Sequence, residues 1–249
     1  MTALTATFPR AGLARLTEVE LRKMVDTRAG FWLLLTIQLL AVGAVTIFLL
    51  EAPVDLQDFG DFLAASLLAT SFLLPVIGIL AVTSEWTQRT GLTTFALVPE
   101  RERVIAAKVA GAVALALVTT AMCLACAAIG NLIAGGSWAT SFGEIGQAAL
   151  FETLAMLGGF AFGLAFLNSA LAIVVFFLVP RILSILSATI PALDKPAEWL
   201  EMARAVGPLA DPEVVMTGTD WAQLATASGL WIGLFLLVGL WRLRRTELK

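Results

Sequence analysis

Six apolar runs, each about twenty residues long, limit what this 249-residue chain can fold into. About 20 helical residues cross a bilayer core of about 30 Å, so each run is long enough to span a membrane. The runs are continuously apolar, which does not fit the alternating pattern of a transmembrane β-barrel. The predicted spans are residues 31–50, 62–82, 109–129, 148–167, 171–190 and 222–240.

Composition agrees with this reading, because only 14% of the residues are charged against about 25% in soluble domains. The mean hydropathy is +0.91. We therefore predict an all-α polytopic membrane protein in which residues 1–249 form a single transmembrane domain.

The basic residues are concentrated on one side of the predicted spans. Thirteen of the sixteen lysines and arginines fall in residues 10–28, 89–108 and 242–249. The loop at residues 51–61, on the opposite side, carries four acidic residues and no base. Because lysine and arginine are enriched in cytoplasmic loops, both termini are predicted to be cytoplasmic.

Two shorter helices are predicted outside the spans. Residues 11–28 mix apolar and basic side chains, as in an amphipathic helix that lies on the inner membrane surface with its bases toward anionic lipid. Thr17 and Glu20 have the spacing of a capping box, which places a helix start at this point. A start signal at Asp194 and a stop signal at Gly207-Pro208 predict a short outer helix before the sixth span.

The chain lacks the residues and motifs of several enzyme classes. It has no histidine and no tyrosine, which removes histidine-dependent triads and histidine-ligated metals. It contains no Gly-x-x-x-x-Gly-Lys-Ser/Thr nucleotide loop and no Gly-x-Ser-x-Gly elbow. Cys123 and Cys126 lie in an apolar run and are predicted to be core residues. We expect no catalytic residue, metal site or cofactor in this chain, and an intramembrane enzyme is disfavoured.

Two charged residues are predicted to lie within spans, where charges are costly and are functional candidates. Glu152 lies in the fourth span and Arg181 in the fifth. If the chain turns at Asn168, the two residues differ in depth by roughly 4–5 Å. They could therefore form a pair that holds the two spans together. Alternatively, Arg181 lines a pathway and meets an anionic group of a substrate.

Three further features of the spans concern aromatic residues, glycine pairs and prolines. The phenylalanines at positions 72, 176 and 177 could line an apolar cavity, or they could face lipid or the core. Two glycine pairs, Gly159 with Gly163 and Gly229 with Gly233, have the spacing that allows close helix contact. Pro75 and Pro180 are candidates for kinks.

The longest polar interruption on the basic side runs from Ser84 to Lys108. A loop that only joined two spans could be far shorter, so this one is either a solvated connection or a surface for a partner. Its motifs are, in order, Glu85-Trp86, Arg89-Thr90-Gly91, Pro99, the arginines Arg101 and Arg103, and Lys108.

This order resembles the loop after span two in the permease subunit of bacterial type-2 ABC exporters. In that family the loop has an acid, an aromatic residue, a Gly-Thr element, a Pro-x-x-Arg element and a lysine that enters span three. The N-terminal amphipathic helix, the six spans, the break at Asn168-Ser169 and the outer helix extend the resemblance to nearly the whole chain. The chain departs from the pattern at residues 90–94, Thr-Gly-Leu-Thr-Thr, so which threonine would face the partner stays open.

The resemblance implies that residues 87–97 form a coupling helix that docks into a separate ATPase subunit. Two ATPases, which bind ATP and Mg²⁺, would switch two identical or related permease copies between inward-facing and outward-facing states. The cargo would be a drug, a peptide or a lipid that crosses the bacterial cytoplasmic membrane, and no nucleic acid would be bound. The residues implied in ATPase coupling are Glu85, Trp86, Arg89, Thr90, Thr93, Phe95 and Leu97.

An ion-gradient-driven secondary transporter or a channel is the alternative function. Such a protein would be expected to carry acidic residues within its spans, and Glu152 is the one candidate in the predicted spans.

Overall fold

The computed structural model describes residues 12–87, 101–211 and 214–245 of the chain. These ranges are helical and contain no strand. Their α-helices are, in chain order, α1 (Leu13–Asp26), α2 (Arg28–Glu51), α3 (Phe59–Thr70), α4 (Leu74–Thr87), α5 (Arg101–Ala134), α6 (Phe142–Phe166), α7 (Ser169–Thr189), α8 (Asp194–Leu200), α9 (Met202–Ala210), α10 (Gly218–Ser228) and α11 (Leu234–Arg245).

The described ranges hold six helical segments that are long and apolar enough to cross a membrane. They are α2, α3 with α4, α5, α6, α7, and α10 with α11. The prediction of an all-helical, multi-pass membrane protein is confirmed at this level. Several helices run past the predicted limits, because polar residues at a helix end continue the backbone hydrogen bonding beyond the apolar run. The third segment, for example, begins at Glu102 rather than at residue 109.

The second span is interrupted between α3 and α4. The Leu73 N–H donates to the Thr70 carbonyl, and the Val76 N–H donates to the Leu73 carbonyl, so both bonds connect residues three apart. Pro75 lies within the second of these two turns and has no N–H to offer to an α-helical bond. The predicted kink at Pro75 is therefore seen as a break in the helix.

A close helix crossing joins α4 to α6 at glycines. A Cβ atom at Gly159 would lie 1.9 Å from the Pro75 carbonyl oxygen, and one at Gly78 would lie 2.3 Å from the Met156 carbonyl oxygen. Gly163 extends the contact, because a Cβ there would lie 2.8 Å from the Ile79 carbonyl oxygen. Because glycine has no side chain, the backbones of the two helices lie in direct contact here.

The second predicted glycine pair makes no such contact. Among the described residues, a Cβ at Gly229 would meet no atom within 4 Å, and one at Gly233 would meet only Ser228 of its own helix. The two glycines instead bound a π-helical turn, Gly229–Gly233, between α10 and α11. The spacing permits a close approach, but the described residues supply no neighbour at this pair.

The predicted break at Asn168 is confirmed as a tight hairpin between α6 and α7. Leu167 ends α6 in the left-handed region with φ of 52°. The Asn168 side chain then accepts a hydrogen bond from the Leu171 N–H and caps α7.

One end of the bundle, called the basic end below, gathers the start of α5 and the ends of α4, α6 and α11. Arg242 donates to the carbonyls of Ala165 and Phe166, and Arg244 pairs with Glu102 across 2.6 Å. Two of the basic residues on α11, Arg242 and Arg244, thus contact the end of α6 and the start of α5 at this end.

The opposite end is covered by α8 and α9, where the sequence predicted a single outer helix. The break falls at Glu201, which is 2% exposed. Its carboxylate accepts from the Ser187 hydroxyl at 3.2 Å and pairs with Arg204 at 3.1 Å. We attribute the break to this burial, which draws the backbone inward between the two short helices.

Candidate functional site

Four charged side chains from three helices form a cluster at the basic end. Glu20 and Lys23 lie one turn apart on α1, Glu85 lies in the last turn of α4, and Lys108 lies in the second turn of α5. Lys108 Nζ is 2.5 Å from Glu20 and 3.1 Å from Glu85, and Lys23 Nζ is 2.7 Å from Glu20 and 2.9 Å from Glu85. Each lysine therefore bridges both carboxylates, and we call these four residues the charge cluster.

Three members of the charge cluster are buried. Lys108 is 3% exposed, Glu20 5% and Glu85 8%. All three N–H groups of Lys108 are used, because its ammonium also donates to the Ala81 carbonyl at 3.2 Å. Transferring an ion out of water costs several kcal/mol, and a buried ion is tolerated only when its partners satisfy it in this way.

Lys23 is the most exposed member, with 41% of its side chain exposed. Burial works against its charge, but the hydrogen bonds and the negative charges of Glu20 and Glu85 outweigh that effect and raise the pKa of Lys23 above its ordinary value. The contacts with Glu20 and Glu85 therefore favour the charged form of Lys23.

A sharp elbow between α1 and α2 sets the position of Glu20 and Lys23. The Thr27 side chain accepts from the Gly30 N–H and caps α2. A Cβ at Gly30 would lie 1.8 Å from the Met24 carbonyl oxygen, so a glycine is required for the chain to turn this tightly. The elbow folds α1 back against α4 and α5, and Met24 joins the core beside the cluster.

Of the residues implied in ATPase coupling, two fall in the described ranges. Glu85 belongs to the charge cluster, and Trp86 is half-buried against the core of the basic end. The other five lie in residues 88–100, outside the described residues, as does most of the predicted coupling helix. They are Arg89, Thr90, Thr93, Phe95 and Leu97.

The chain matches no family model and no curated protein.

The structure does not pair Glu152 with Arg181. Glu152 is fully buried and accepts a hydrogen bond from the Thr70 hydroxyl on α3, while Arg181 is exposed on α7. Similar distances from the turn at Asn168 predicted similar depths for the two residues, but depth alone does not fix which way a helix faces. The second oxygen of Glu152 has no hydrogen-bond partner among the described residues.

The three predicted phenylalanines are not gathered around one cavity. Phe176 packs edge-on against Phe162 at a centroid distance of 5.2 Å, and Phe177 touches Phe176 at 5.1 Å. Phe72 lies in the turn between α3 and α4 and is 65% exposed. Their joint role in a pathway stays a prediction.

Sequence reasoning missed Glu20 and Lys23 as site residues. It assigned Glu20 to a capping box with Thr17, but α1 begins at Leu13 and the Thr17 hydroxyl donates to the Leu13 carbonyl. Glu20 bonds lysines instead. The sequence did contain a signal, because Glu20 lies four residues before Met24 and so shares its helical face. An acid on an apolar face that packs into the fold needs a partner there.

Proposed function

We propose that this chain is the membrane-spanning subunit of an ATP-driven exporter of the type-2 ABC class, with residues 84–108 coupling it to a separate ATPase. The observation that carries the proposal is the charge cluster. Glu85 and Lys108 stand at the two ends of the 84–108 segment and are joined to each other and to α1. A force applied to residues 88–100 would therefore act on α1, α4 and α5 together.

In this proposal the ATPase partner supplies the nucleotide chemistry. The sequence has no P-loop of its own, so ATP and Mg²⁺ would bind to two copies of the partner, and the permease would be neither an enzyme nor a cofactor protein. Two permease copies, identical or related, would enclose the pathway in a bacterial cytoplasmic membrane with both termini in the cytoplasm. A drug, a peptide or a lipid suits the apolar character of the spans.

Exposed side chains on α7 are the candidates for the wall of that pathway. Arg181 is exposed among apolar neighbours such as Leu178 and Ile182. A charge at this depth is costly against lipid, so water, a substrate or another protein surface is its favourable environment. We propose that Arg181 faces the pathway and meets an anionic group there.

A secondary transporter driven by an ion gradient is the second candidate, and Glu152 favours it. A carboxyl group that is fully buried at membrane depth, with one unpartnered oxygen among the described residues, is the kind of group that such proteins use to bind an ion. Transport that needs no ATP and is lost in Glu152→Gln would support this candidate over the exporter.

Site-directed photocrosslinking in native membranes tests the proposed docking. A photoreactive amino acid at position 95 should crosslink to a protein whose peptides contain a P-loop, identified by mass spectrometry. The matched control is position 142, where Phe142 is 94% exposed at the opposite end of the bundle. Crosslinking of the same ATPase from both positions, or from neither, would contradict docking through residues 84–108.

A further inference from the structure

A cavity of about 900 Å³ lies at the basic end, between α1, the start of α2, α4 and α5. This volume is near the upper limit of ordinary ligand pockets, about 300–1,000 Å³. Apolar side chains contribute much of its wall, and the charge cluster lies along the same lining. The apolar members include Leu16, Val19, Leu33, Ile77, Leu80 and Val104.

Among the described residues that line the cavity, the charges do not cancel. Glu20 and Glu85 are balanced by Lys23 and Lys108, which leaves the guanidinium of Arg28 as a surplus positive charge. Arg28 is exposed, and no ion pair or side-chain hydrogen bond joins it to any other described residue. The lining therefore favours an anion over a cation or a neutral ligand.

Hydrogen-bond donors are also left over for such an anion. An ammonium group has three N–H donors. Lys108 uses all three within the fold, but Lys23 uses one for Glu20 and one for Glu85. The third N–H of Lys23 has no acceptor in the described part of the chain. Together, Lys23 and Arg28 offer charge-assisted donors of the kind that phosphate oxygens accept.

We propose that this cavity binds the phosphate head group of an anionic phospholipid from the leaflet at the basic end. Arg28 and Lys23 hold the phosphate, and the acyl chains lie against the apolar wall. The start of α2 places the donors at the end of a membrane span, where head groups lie. A soluble phosphate would satisfy the donors but would leave the apolar wall uncovered. The proposal does not depend on the exporter function.

Lipid titration of the purified full chain, followed by native mass spectrometry, tests the site. Phosphatidylglycerol should bind saturably, while phosphatidylcholine binds more weakly and glycerol phosphate does not bind at the same concentration. Arg28→Gln should weaken phosphatidylglycerol binding about fivefold, since one basic residue near the surface is worth about 1 kcal/mol. Arg15→Gln is the matched control, because Arg15 is exposed on α1 and is not in the lining.

A second variant tests the apolar part of the site without changing any charge. Ala29 is exposed and lines the cavity beside Arg28, so Ala29→Phe should fold normally and reduce lipid binding by filling the space. Equal weakening by Arg28→Gln and Arg15→Gln would overturn the proposal in favour of general surface attraction. Unchanged binding by Ala29→Phe, or equal binding of glycerol phosphate, would overturn it as well.

Discussion

Lys108 Nζ and Glu20 Oε2 lie 2.5 Å apart although 88 residues separate them in the chain. The contact ties the N-terminal helix α1 to the long helix α5, and both side chains are nearly excluded from solvent. Because Glu85 is bonded to the same lysine, the two ends of the 84–108 segment are held in one cluster with α1. The account of coupling depends on this connection.

Lys108→Met should strongly destabilise the protein. The substitution removes the lysine that contacts both buried carboxylates, and removal of one partner from a buried ion pair typically costs about 3–5 kcal/mol. Thermal unfolding of the detergent-purified protein measures the loss. In the double variant Lys108→Met with Glu20→Gln the loss should be smaller, because one uncompensated charge is gone.

The matched control for this prediction is the exposed pair of Arg244 with Glu102, whose N–O distance is 2.6 Å. Exposed pairs are worth about 0–1 kcal/mol, so Arg244→Gln should change the unfolding temperature little. If Lys108→Met and Arg244→Gln have equal effects, the charge cluster does not stabilise the fold.

The contribution of Lys23 should disappear at alkaline pH. Its pKa is raised in the folded protein, so the folded state holds the proton more tightly than the unfolded chain does. Lys23 then contributes its full stabilisation below pH 10.5, which is the ordinary pKa of a lysine. This contribution is lost as the pH rises through the higher pKa of Lys23 in the folded protein. The gap in unfolding temperature between wild type and Lys23→Met should be constant near neutral pH and should close at alkaline pH. A gap that stays constant or widens there contradicts the cluster.

Gly159→Ala should destabilise the crossing of α4 with α6. The added methyl would lie 1.9 Å from the Pro75 carbonyl oxygen, which belongs to the backbone and cannot rotate away. Overpacking of this kind costs about 1–3 kcal/mol or more. Gly146→Ala on the same helix is the control, because a Cβ there meets no described atom within 4 Å and the change gains helix propensity of up to about 1 kcal/mol. Thermal unfolding should shift in opposite directions for the two variants, and a common direction would contradict the crossing.

Thr70→Val should be destabilising, because it removes the hydrogen-bond partner that the structure gives to the buried Glu152 carboxyl. An unsatisfied buried polar group costs about 1–3 kcal/mol. Thr226→Val is the control, since that hydroxyl bonds only an exposed carbonyl on its own helix. Glu152→Gln keeps an oxygen that can accept from Thr70 and should unfold near the wild-type temperature. A large loss in Glu152→Gln would show that the charge itself is needed.

The sequence was sufficient for the features that depend on one run of residues. Continuous apolar runs predicted the six spans, Pro75 predicted the break between α3 and α4, and Asn168 predicted the hairpin before α7. These signals are local, since the length and composition of one run decide whether it can cross a bilayer. The uneven charge distribution needs only counting, and the cytoplasmic termini that it predicts stay a prediction.

Features that depend on which sides of two helices contact each other could not be predicted in this way. Glu152 and Arg181 were predicted to share a depth but are not paired, and the Gly229 pair has the right spacing but no neighbour among the described residues. Glu20 was given a local role with Thr17, while its partner Lys108 is supplied by another helix. The position of a residue in the sequence fixes how far along a helix its side chain lies. Which neighbour the side chain faces depends on the rotation of the helix about its axis, and that rotation is set by packing across the whole bundle.

ATP hydrolysis by the complex tests the central claim most directly. Glu85→Ala is a poor probe, because Glu85 also holds the charge cluster together, so Arg89→Glu is preferred. The permease and the ATPase to which position 95 crosslinks are reconstituted in vesicles, with Arg244→Gln as the control for a lost basic residue. The account predicts that wild type and Arg244→Gln stimulate ATP hydrolysis. Arg89→Glu should reach the membrane normally but should not stimulate hydrolysis. Equal stimulation by Arg89→Glu and wild type would contradict coupling through residues 84–108.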